Sequence, residues 1–563
     1  MSFKDCGRRA LSWLREHRNA YVFLGLFYLV AYYPVYTADF LFRDDLRRAS
    51  IGFRGWGYGR YLSLLGSVLL HTDTYLADIS PLPQLLCALI MALASLVLLA
   101  AFESAWRGEK GEKGFEVGRK KKEEIGNIEK LESIEMGETE RIRMEKTQTK
   151  IPLSFLIAAG LLGLYPPFFN CVCYKYDAPY MALSVLFGIA PLFFYRFGAR
   201  RFFYGFLCFL CTLGVCLTYQ ASSGLLPLLV AFFMFLRWGR GEKASSVFRF
   251  ALVSALGYVA GLFFFRLFLM PREDTYVTMG AVKGKDFLPQ VLENLRTYGV
   301  RFLVEMRPLW MEAMLLLAFA FLVLFAIRAK RKPYVVFPLG LLCLPLWALL
   351  SLGAYPYLQK PLFLPRAMYG MGALLALLGF GTLMGTWEAL VEREAFVERE
   401  KKGKRTSQRV SRWLYRGMTL LIFCLVWMFL VFSFTLGNAL SAQAEYTRFR
   451  MAEVVEDLSS LPEAQEGSLT VQLKGDIGVA PSIENLPPGY GMVTRIVPYT
   501  LKGGYIWGEY GFFHYYGLPD VKKGEGLSKK ELPLLSETLY HRIYGKDGSF
   551  LIELKRGGAG RGK

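Results

Sequence analysis

The chain has 563 residues, of which 53% are hydrophobic and 15% aromatic, and its mean hydropathy is +0.30. This composition excludes an ordinary soluble domain, and the recurring apolar runs of roughly 17 to 25 residues are long enough to cross a ~30 Å hydrocarbon core. The formal net charge of +20 would favour nucleic acid binding in a soluble protein, but most Lys and Arg residues lie between the apolar runs. We therefore predict a polytopic membrane protein, with the lipid bilayer and no nucleic acid as its partner.

The apolar runs predict about eleven transmembrane helices. In chain order they cover residues 20–36, 82–102, 151–169, 180–195, 202–217, 224–236, 250–269, 314–327, 335–352, 367–387 and 418–434. Basic residues precede the first run, and the strongly basic short loops fall on one side of the membrane. The positive-inside rule therefore places the N-terminus in the cytoplasm and, after an odd number of spans, the C-terminus outside it.

Three segments lie between or after the spans of the transmembrane domain predicted for residues 1–437. Residues 107–150 are rich in Lys and Glu and predict a charged cytosolic loop, with a tether to lipid or a partner as the alternative. Residues 271–310 are predicted to form an external loop. Residues 438–563 are predicted to form a small extracytoplasmic α/β domain.

The C-terminal segment changes its pattern along its length. NALSAQAEYTRFRMAEVVEDLSSL has helical apolar spacing, whereas SLTVQLKGD, GMVTRIVPYTL and SFLIEL predict short strands. The aromatic run YIWGEYGFFHYYG fits an interfacial belt or a packed core better than a platform for sugar binding.

No motif indicates a nucleotide site, a disulfide framework or a zinc site. Most of the nine cysteines lie inside predicted spans, the four histidines lack ligand spacing, and no Walker or Rossmann glycine pattern is present. The sequence requires no cofactor and leaves a role for a divalent metal open. Few charges lie in the middle of a span, where an ion-coupled transporter keeps them. The charged residues instead favour a polar cleft at the outer face.

Two adjacent carboxylates, Asp44 and Asp45, follow the first span in the stretch FRDDLRR. If this stretch starts a short helix, Asp44 shares a face with Arg47 and Arg48, whose charges should lower carboxylate pKa values and keep the acids ionised. An ionised carboxylate can act as a general base. The alternative is that the pair caps a helix or neutralises the arginines.

Other polar residues on the predicted outer face are candidate substrate ligands. Asp177, beside Tyr176, would bind substrate or serve as a turn residue or N-cap of the fourth span. Arg366, with Lys360 nearby, would bind a phosphate through its guanidinium fork or snorkel at the start of the tenth span. Arg60 ends GWGYGR, a glycine-rich loop that approaches a ligand or forms a structural turn.

Several motifs in the same order resemble those of the bacterial O-antigen glucosyltransferase II (Gtr) family. They are FRDDLRRASIGFRGWGYGRYLSLLGSVLL, LADISPLPQLLCALIMALASLVLL, NCVCYKYDAPYMALSVLFGIAPLFF, YQAS, FLPRAMYGMGALLAL, LGNALSAQAEYTRFR and GDIGVAPSIENLPPGYG. Two features depart from that pattern: the charged segment 107–150 is longer, and NCVCYKYD has no acidic residue before its tyrosines.

The resemblance implies a GT-C type glycosyltransferase in the cytoplasmic (inner) membrane. It would transfer glucose or a similar hexose, with inversion, from a polyprenyl phosphate donor to a polysaccharide, O-antigen or other lipid-linked glycan acceptor at the outer face. Asp44 would be the general base, and Asp45 would orient the site or the acceptor. The residues predicted to bind substrate are Arg47, Arg60, Tyr176, Asp177, Lys360 and Arg366. The alternative is a lipid-linked oligosaccharide flippase or a polysaccharide transporter without chemistry, and a scaffold or receptor has no positive support.

Overall fold

The structure of the chain is a computed structural model. It describes residues 3–52, 59–128, 151–271, 280, 282, 284–399, 405–464, 468–487, 489–498, 501–504, 513–518 and 521–557. These residues form a mostly helical bundle followed by one small sheet. The predicted fold class, an all-α membrane protein of about eleven spans with a small C-terminal α/β region, is confirmed.

The helices are numbered here in chain order. They are α1 (Phe3–Glu16), α2 (Arg18–Thr37), α3 (Asp45–Ile51), α4 (Tyr61–His71), α5 (Leu82–Ile128), α6 (Leu153–Leu164), α7 (Phe169–Val172), α8 (Ala178–Arg196), α9 (Arg201–Thr218), α10 (Leu225–Gly239), α11 (Ala244–Phe264), α12 (Phe287–Glu305), α13 (Pro308–Arg328), α14 (Pro333–Leu350), α15 (Met371–Arg399), α16 (Arg405–Ser460), α17 (Pro481–Glu484) and α18 (Gly491–Ile496).

Within the described ranges, ten helices are long and apolar enough to cross a membrane, and the number is eleven if one bent pair counts as a single span. The bent pair joins Leu153–Leu164 to Pro166–Val172 at an angle of 50°. Pro166 and Pro167 lie at this bend. Proline lacks the backbone N–H that continues a helix, so the helix breaks there. Helix α4 is a further short apolar helix that the sequence analysis did not predict.

The two ends of the bundle differ in chemistry. At one end, called here the basic end, α8, α10 and α13 finish in arginines. There Arg196 pairs with Glu103 at 2.7 Å and Arg240 with Glu388 at 2.9 Å. At the other end, called the sheet end, α2 finishes, α8 begins, and α3 packs against the C-terminal sheet. The candidate site residues lie at the sheet end.

The C-terminal sheet has five strands in the order β2-β1-β5-β4-β3. The strands are β1 (Thr470–Gly475), β2 (Lys522–Lys523), β3 (Leu534–Glu537), β4 (His541–Lys546) and β5 (Ser549–Leu554). Strand β1 runs parallel to β2 and β5, with Thr470 opposite Ser549, whereas β4 is antiparallel to both β3 and β5. We call residues 468–557 the sheet region.

Two of the three predicted strands are confirmed, because SLTVQLKGD contains β1 and SFLIEL is β5. The strand predicted for GMVTRIVPYTL is wrong, since its first half forms the helix α18. Its buried residues Met492, Val493 and Ile496 follow helical spacing, and short apolar runs do not distinguish helix from strand.

The longest helix, α16, has 56 residues and is therefore about 84 Å long. It contains the last predicted span and runs through residue 438, so the predicted domain boundary falls inside a helix. Gly437 lets α16 approach α2 closely, because a Cβ at Gly437 would lie 2.4 Å from Cβ of Pro34.

Two other predicted segments are described only in part. The charged segment 107–150 begins within α5, which continues to Ile128, and residues 129–150 lie outside the described residues. The predicted external loop 271–310 contains α12 and the start of α13, while the charged stretch 272–274 lies outside the described residues.

Candidate functional site

The acidic loop between α2 and α3, residues 38–44, has a constrained backbone. Asp39 and Arg43 adopt left-handed conformations, with φ of 48° and 53°, which non-glycine residues rarely do without support. Phe42 supplies part of that support: it is fully buried, and its ring packs edge-on against Tyr174 with the centroids 4.8 Å apart. The loop therefore presents Asp44 and Asp45 from an anchored position at the sheet end.

Asp45 belongs to a buried group of charges with Arg48 and Asp177, whose exposed fractions are 0%, 3% and 5%. Nη1 of Arg48 lies 2.8 Å from Oδ2 of Asp177 and 3.7 Å from Oδ1 of Asp45. The backbone N–H of Lys175 donates a hydrogen bond of 2.9 Å to Oδ2 of Asp45. One guanidinium thus faces two carboxylates in a site shielded from water.

The expectation that the arginines lower the pKa of Asp45 is wrong. Burial raises the pKa of Asp45 well above its ordinary value, and the nearby charges of Asp177 and Asp44 act in the same direction. Arg48 and the Lys175 N–H oppose this increase without reversing it, since Arg48 also pairs with Asp177 at the shorter distance. The surroundings of Asp45 therefore favour its neutral form more than water does, and its complete burial keeps it out of reach of a substrate hydroxyl.

Asp44 differs from its neighbour because its side chain is exposed. It occupies the N-cap position of α3 but makes no side-chain cap hydrogen bond, so the predicted capping alternative is not observed. Its backbone oxygen accepts the N–H of Arg48 at 3.2 Å, which places these residues one helical turn apart as predicted. The adjacent acids thus have opposite environments: Asp44 is open to solvent and Asp45 is enclosed.

Arg366 lies in the short turn Pro365–Ala367 and contacts the segment that follows the bent span. Its Nη1 donates to the Tyr174 hydroxyl, its guanidinium lies 5.0 Å from that ring's centroid, and its backbone N–H donates to Oδ1 of Asn170 at 3.3 Å. Its Nε is buried and has no hydrogen-bond partner among the described residues. Burial acts to lower the pKa of Arg366, but the facing tyrosines and the Asp44 carboxylate raise it overall.

A second arginine converges on the same place. The guanidinium of Arg60, at the N-cap of α4, lies 5.0 Å from the ring centroid of Tyr219. Arg366 also acts electrostatically on Tyr219, which is fully buried and whose hydroxyl has no hydrogen-bond partner in the described part of the chain. Arg60 therefore lies against the Tyr219 ring, Arg366 acts on this tyrosine through its charge, and the Asp44 carboxylate acts on Arg366 in the same way.

Lys175 forms a further charged contact beside the buried group. Its Nζ donates to Asp39 and, at 3.0 Å, to Asp78. Burial acts to lower the pKa of Lys175, but these two carboxylates outweigh it and raise the pKa. Because the Lys175 backbone also binds Asp45, this residue links the acidic loop to the buried charges.

The structure places the remaining predicted residues in different environments. The ring of Tyr176 is buried and stacks on His71 with the centroids 5.9 Å apart. Asp177 has the predicted N-cap position of α8, but its side chain pairs with Arg48 and does not cap. Arg47 is half-buried on α3, which lowers its pKa. Lys360 is exposed and forms no ion pair among the described residues.

Three residues at this site, Tyr174, Lys175 and Tyr219, were not predicted to bind substrate or to take part in catalysis, and Arg48 was expected only to lower the pKa of the acids. The segment NCVCYKYD carries two of them, and its dense polar and aromatic content just before a span is a signal that could have been used. Tyr219 begins the motif YQAS, one of the motifs that carry the family resemblance, but the motif did not indicate a role for this tyrosine.

The sheet region contacts both halves of the site. Leu46 of α3 is buried in its hydrophobic core, together with Met451 and Val454 of α16. Arg495 of α18 donates to the backbone oxygen of Phe363 at 2.7 Å, and so holds the loop that carries Arg366. The sheet region therefore supports the positions of both the acid pair and the arginine.

In the part of the chain that the structure describes, no group of three or more His, Cys, Asp or Glu residues has the arrangement of a metal site.

One of three comparisons with known proteins identifies a family for this chain. No curated protein and no solved structure matches the chain. The family model of the glucosyl transferase GtrII matches residues 33–377, which is more than half of the chain and includes Asp44, Asp45, Asp177 and Arg366. This chain therefore belongs to the glucosyl transferase GtrII family.

Proposed function

We propose that the protein transfers glucose or a similar hexose from a polyprenyl phosphate donor to a cell-surface polysaccharide or O-antigen acceptor. The family is one of glucosyltransferases, and the apolar helices make the chain a multi-pass membrane protein. The observation that carries the proposal is the exposed Asp44 carboxylate, which acts on Arg366 through its charge, while Arg60 lies against Tyr219 and Arg366 acts on that tyrosine electrostatically. In this proposal Asp44 supplies the base and the two arginines bind the donor phosphate in one site.

The two arginines suit a phosphate leaving group. A guanidinium is always charged and offers its donors in a fork that matches phosphate oxygens. As the bond between the anomeric carbon and the phosphate oxygen breaks, its electron pair stays on the phosphate, and Arg366 and Arg60 would stabilise that charge. Helix α4, which follows Arg60, exposes Leu65 and Leu69, so the tail of a lipid donor can remain in the bilayer.

Asp44 is the proposed general base. Its carboxylate would accept the proton of the acceptor hydroxyl while that oxygen bonds to the anomeric carbon, on the side opposite the departing phosphate. Asp45 is fully enclosed, so it would not attack the sugar itself. Transfer with Asp44 as a general base and without a covalent intermediate would invert the anomeric centre.

We place the sheet end outside the cytoplasmic membrane. The arginines that end α8, α10 and α13 lie at the opposite end, and short basic loops are retained in the cytoplasm. The N-terminus would then be cytoplasmic and the C-terminus extracytoplasmic.

Reconstituted protein provides the test. With a polyprenyl-phosphate-linked glucose donor and oligosaccharides from the producing cells' surface polysaccharide, wild type should form a new glycosidic bond. Asp44→Asn should reduce kcat by about 10²- to 10⁴-fold, because the acceptor proton loses its base. A near wild-type rate for Asp44→Asn would remove the base assignment. Movement of lipid-linked sugar across the bilayer without bond formation would favour a transporter instead.

A further inference from the structure

A cavity of about 230 Å³ lies where α3, the acidic loop and the sheet region meet. It is smaller than the roughly 300–1,000 Å³ pockets that enclose drug-sized ligands. A cavity of this size would therefore hold only a short segment of a saccharide. Leu46 and Ala49 of α3 form part of its wall. The helix that begins at Asp45 therefore separates the buried charges from this cavity.

One wall of the cavity carries charges that nearly cancel. Lys175 lines it and is bound by Asp39 and Asp78, both of which also line it. The side chain of Asp39 is 66% exposed, so its second oxygen can accept hydrogen bonds from an incoming group. This wall offers both acceptors and a donor to hydroxyl groups.

The opposite wall belongs to the C-terminal part of the chain. Tyr515 and Tyr516 lie there with their ring centroids 5.4 Å apart at 74°, beside Arg448 of α16. Tyr515 is 49% exposed, which is unusual for a large aromatic side chain that packs in a core. A sugar ring has an apolar face and a rim of hydroxyls, so it can contact an aromatic face and polar groups at once.

The charge of the cavity separates it from the proposed donor site. Two carboxylates face two cations here, so the cavity has no excess positive charge to attract a phosphate. The arginines that suit a phosphate, Arg60 and Arg366, are not among the residues that line it. The chemistry of this cavity therefore fits a neutral, hydroxyl-rich ligand.

We infer that this cavity binds the acceptor saccharide and that Tyr515 and Tyr516 set its selectivity; the inference rests on the proposed glycosyl transfer. The family model covers Asp39, Asp78 and Lys175 but ends at residue 377, before Arg448 and both tyrosines. The acceptor is thus held between a wall that the family model covers and a wall that it does not. Lys175 connects the bound acceptor to the acids, because its Nζ lines the cavity while its backbone N–H binds Asp45.

Kinetics with two varied substrates tests the inference. In reconstituted protein, Tyr515→Ala and Tyr516→Ala should each raise the acceptor KM by about tenfold, with the donor KM changed less than about twofold. Tyr516→Phe should stay close to wild type because it keeps the aromatic ring. Tyr544→Ala is the matched control, since Tyr544 lies in the same region on β4 and does not line the cavity.

Three results would overturn the inference: an unchanged acceptor KM in both alanine variants, a parallel rise of the donor KM, or an equal effect of Tyr544→Ala. Binding of the same oligosaccharides without donor, measured by titration calorimetry, separates this inference from the proposed function. Weaker binding in Tyr515→Ala and Tyr516→Ala supports the cavity even if wild type forms no glycosidic bond. Wild type that transfers sugar while both variants bind the oligosaccharide as tightly as wild type keeps the function and refutes the cavity.

Discussion

At the scale of single residues, Asp44 and Asp45 show how one peptide bond separates two chemical environments. Successive residues of a helix point about 100° apart, so the N-terminus of α3 directs one carboxyl to solvent and the next into the protein. Burial then favours the neutral form of Asp45, whereas Asp44 remains accessible to a substrate hydroxyl. Their exchange by amides should therefore have different consequences.

Asp45→Asn should change the pH dependence of stability. Because the pKa of Asp45 is raised, its contribution to folding is complete below its ordinary value of 3.8 and is lost as the pH rises through the raised value. The apparent Tm of the wild type should therefore fall as the pH rises from about 3.8 through the raised pKa, and Asp45→Asn should flatten this decline because an amide cannot ionise. Tryptophan fluorescence in detergent measures the apparent Tm at each pH, and Asp286→Asn, at an exposed position, is the control. Equal slopes for Asp45→Asn and wild type would contradict the burial argument.

Arg366 should act on the donor. Arg366→Ala should lower kcat/KM for the donor by about 10- to 150-fold, which corresponds to the loss of one charged hydrogen bond. Arg366→Lys should lower kcat/KM less, because lysine keeps the positive charge although it lacks the guanidinium fork. Lys360→Ala should have a smaller effect, since Lys360 is exposed. Steady-state kinetics with varied donor provides the measurement, with exposed Arg249→Ala at the basic end as the control. Equal kcat/KM for Arg366→Ala and wild type would exclude Arg366 from the site.

At the scale of elements, α3 is held from two sides. Its Arg48 pairs with Asp177 at the start of α8, and its Leu46 is buried in the core of the sheet region. The loop before α3 follows directly from α2, whose last turns pack against α16 at Gly437. The position of the acids on α3 thus depends on how α2, α8 and α16 pack around it.

Gly437→Ala should displace the end of α2. The new methyl group would lie 2.4 Å from Cβ of Pro34, and overpacking of this kind costs about 1–3 kcal/mol. We expect a lower apparent Tm and a lower kcat, because the acidic loop begins four residues after Pro34. Gly417→Ala is the matched control in the same helix, since nothing lies within 4 Å of its added Cβ and alanine favours a helix by about 1 kcal/mol. If the two variants behaved alike, the close approach would not position the site.

At the scale of the whole molecule, the bundle and the sheet region complete one site together. The sheet region receives Leu46 from α3 and holds the Arg366 loop through Arg495 and Phe363. Arg495 also pairs with the buried carboxylate of Glu305 at the end of α12, at 3.3 Å. The long helix α16 carries the sheet region on the bundle and crosses the predicted domain boundary without a break.

The distribution of basic residues predicts that residue 130 and residue 530 are accessible from opposite sides of the membrane. In a background with the exposed Cys424 replaced by Ser, Lys530→Cys should react with a membrane-impermeant maleimide from outside, and Lys130→Cys only after lysis. Mass-tagged gel shifts measure the labelling, and quenching with a permeant maleimide confirms that both cysteines can react. The reverse pattern would place the proposed site in the cytoplasm and contradict an outer-face donor.

The fold was largely predictable, and the site only in part. Long apolar runs predicted the spans because one helix crosses the bilayer in about 20 residues whatever its neighbours are. The proline bend and the helix of GMVTRI were harder, since local patterns there fit more than one structure. Asp44 and Arg366 were predicted from residue type, place and the family resemblance, whereas the motif YQAS did not indicate a role for its Tyr219.

The sequence by itself determined the membrane class, the approximate number of spans, the acidic loop and the family. Hydropathy, charge and motif order are properties of the linear sequence and do not depend on tertiary contacts. Only the tertiary structure decided which acid is buried, that Arg48 joins Asp45 to Asp177, and that Arg60 lies against Tyr219. These outcomes depend on contacts between residues far apart in the chain. Burial and shared counter-charges, which set protonation and binding chemistry, exist only once those contacts form.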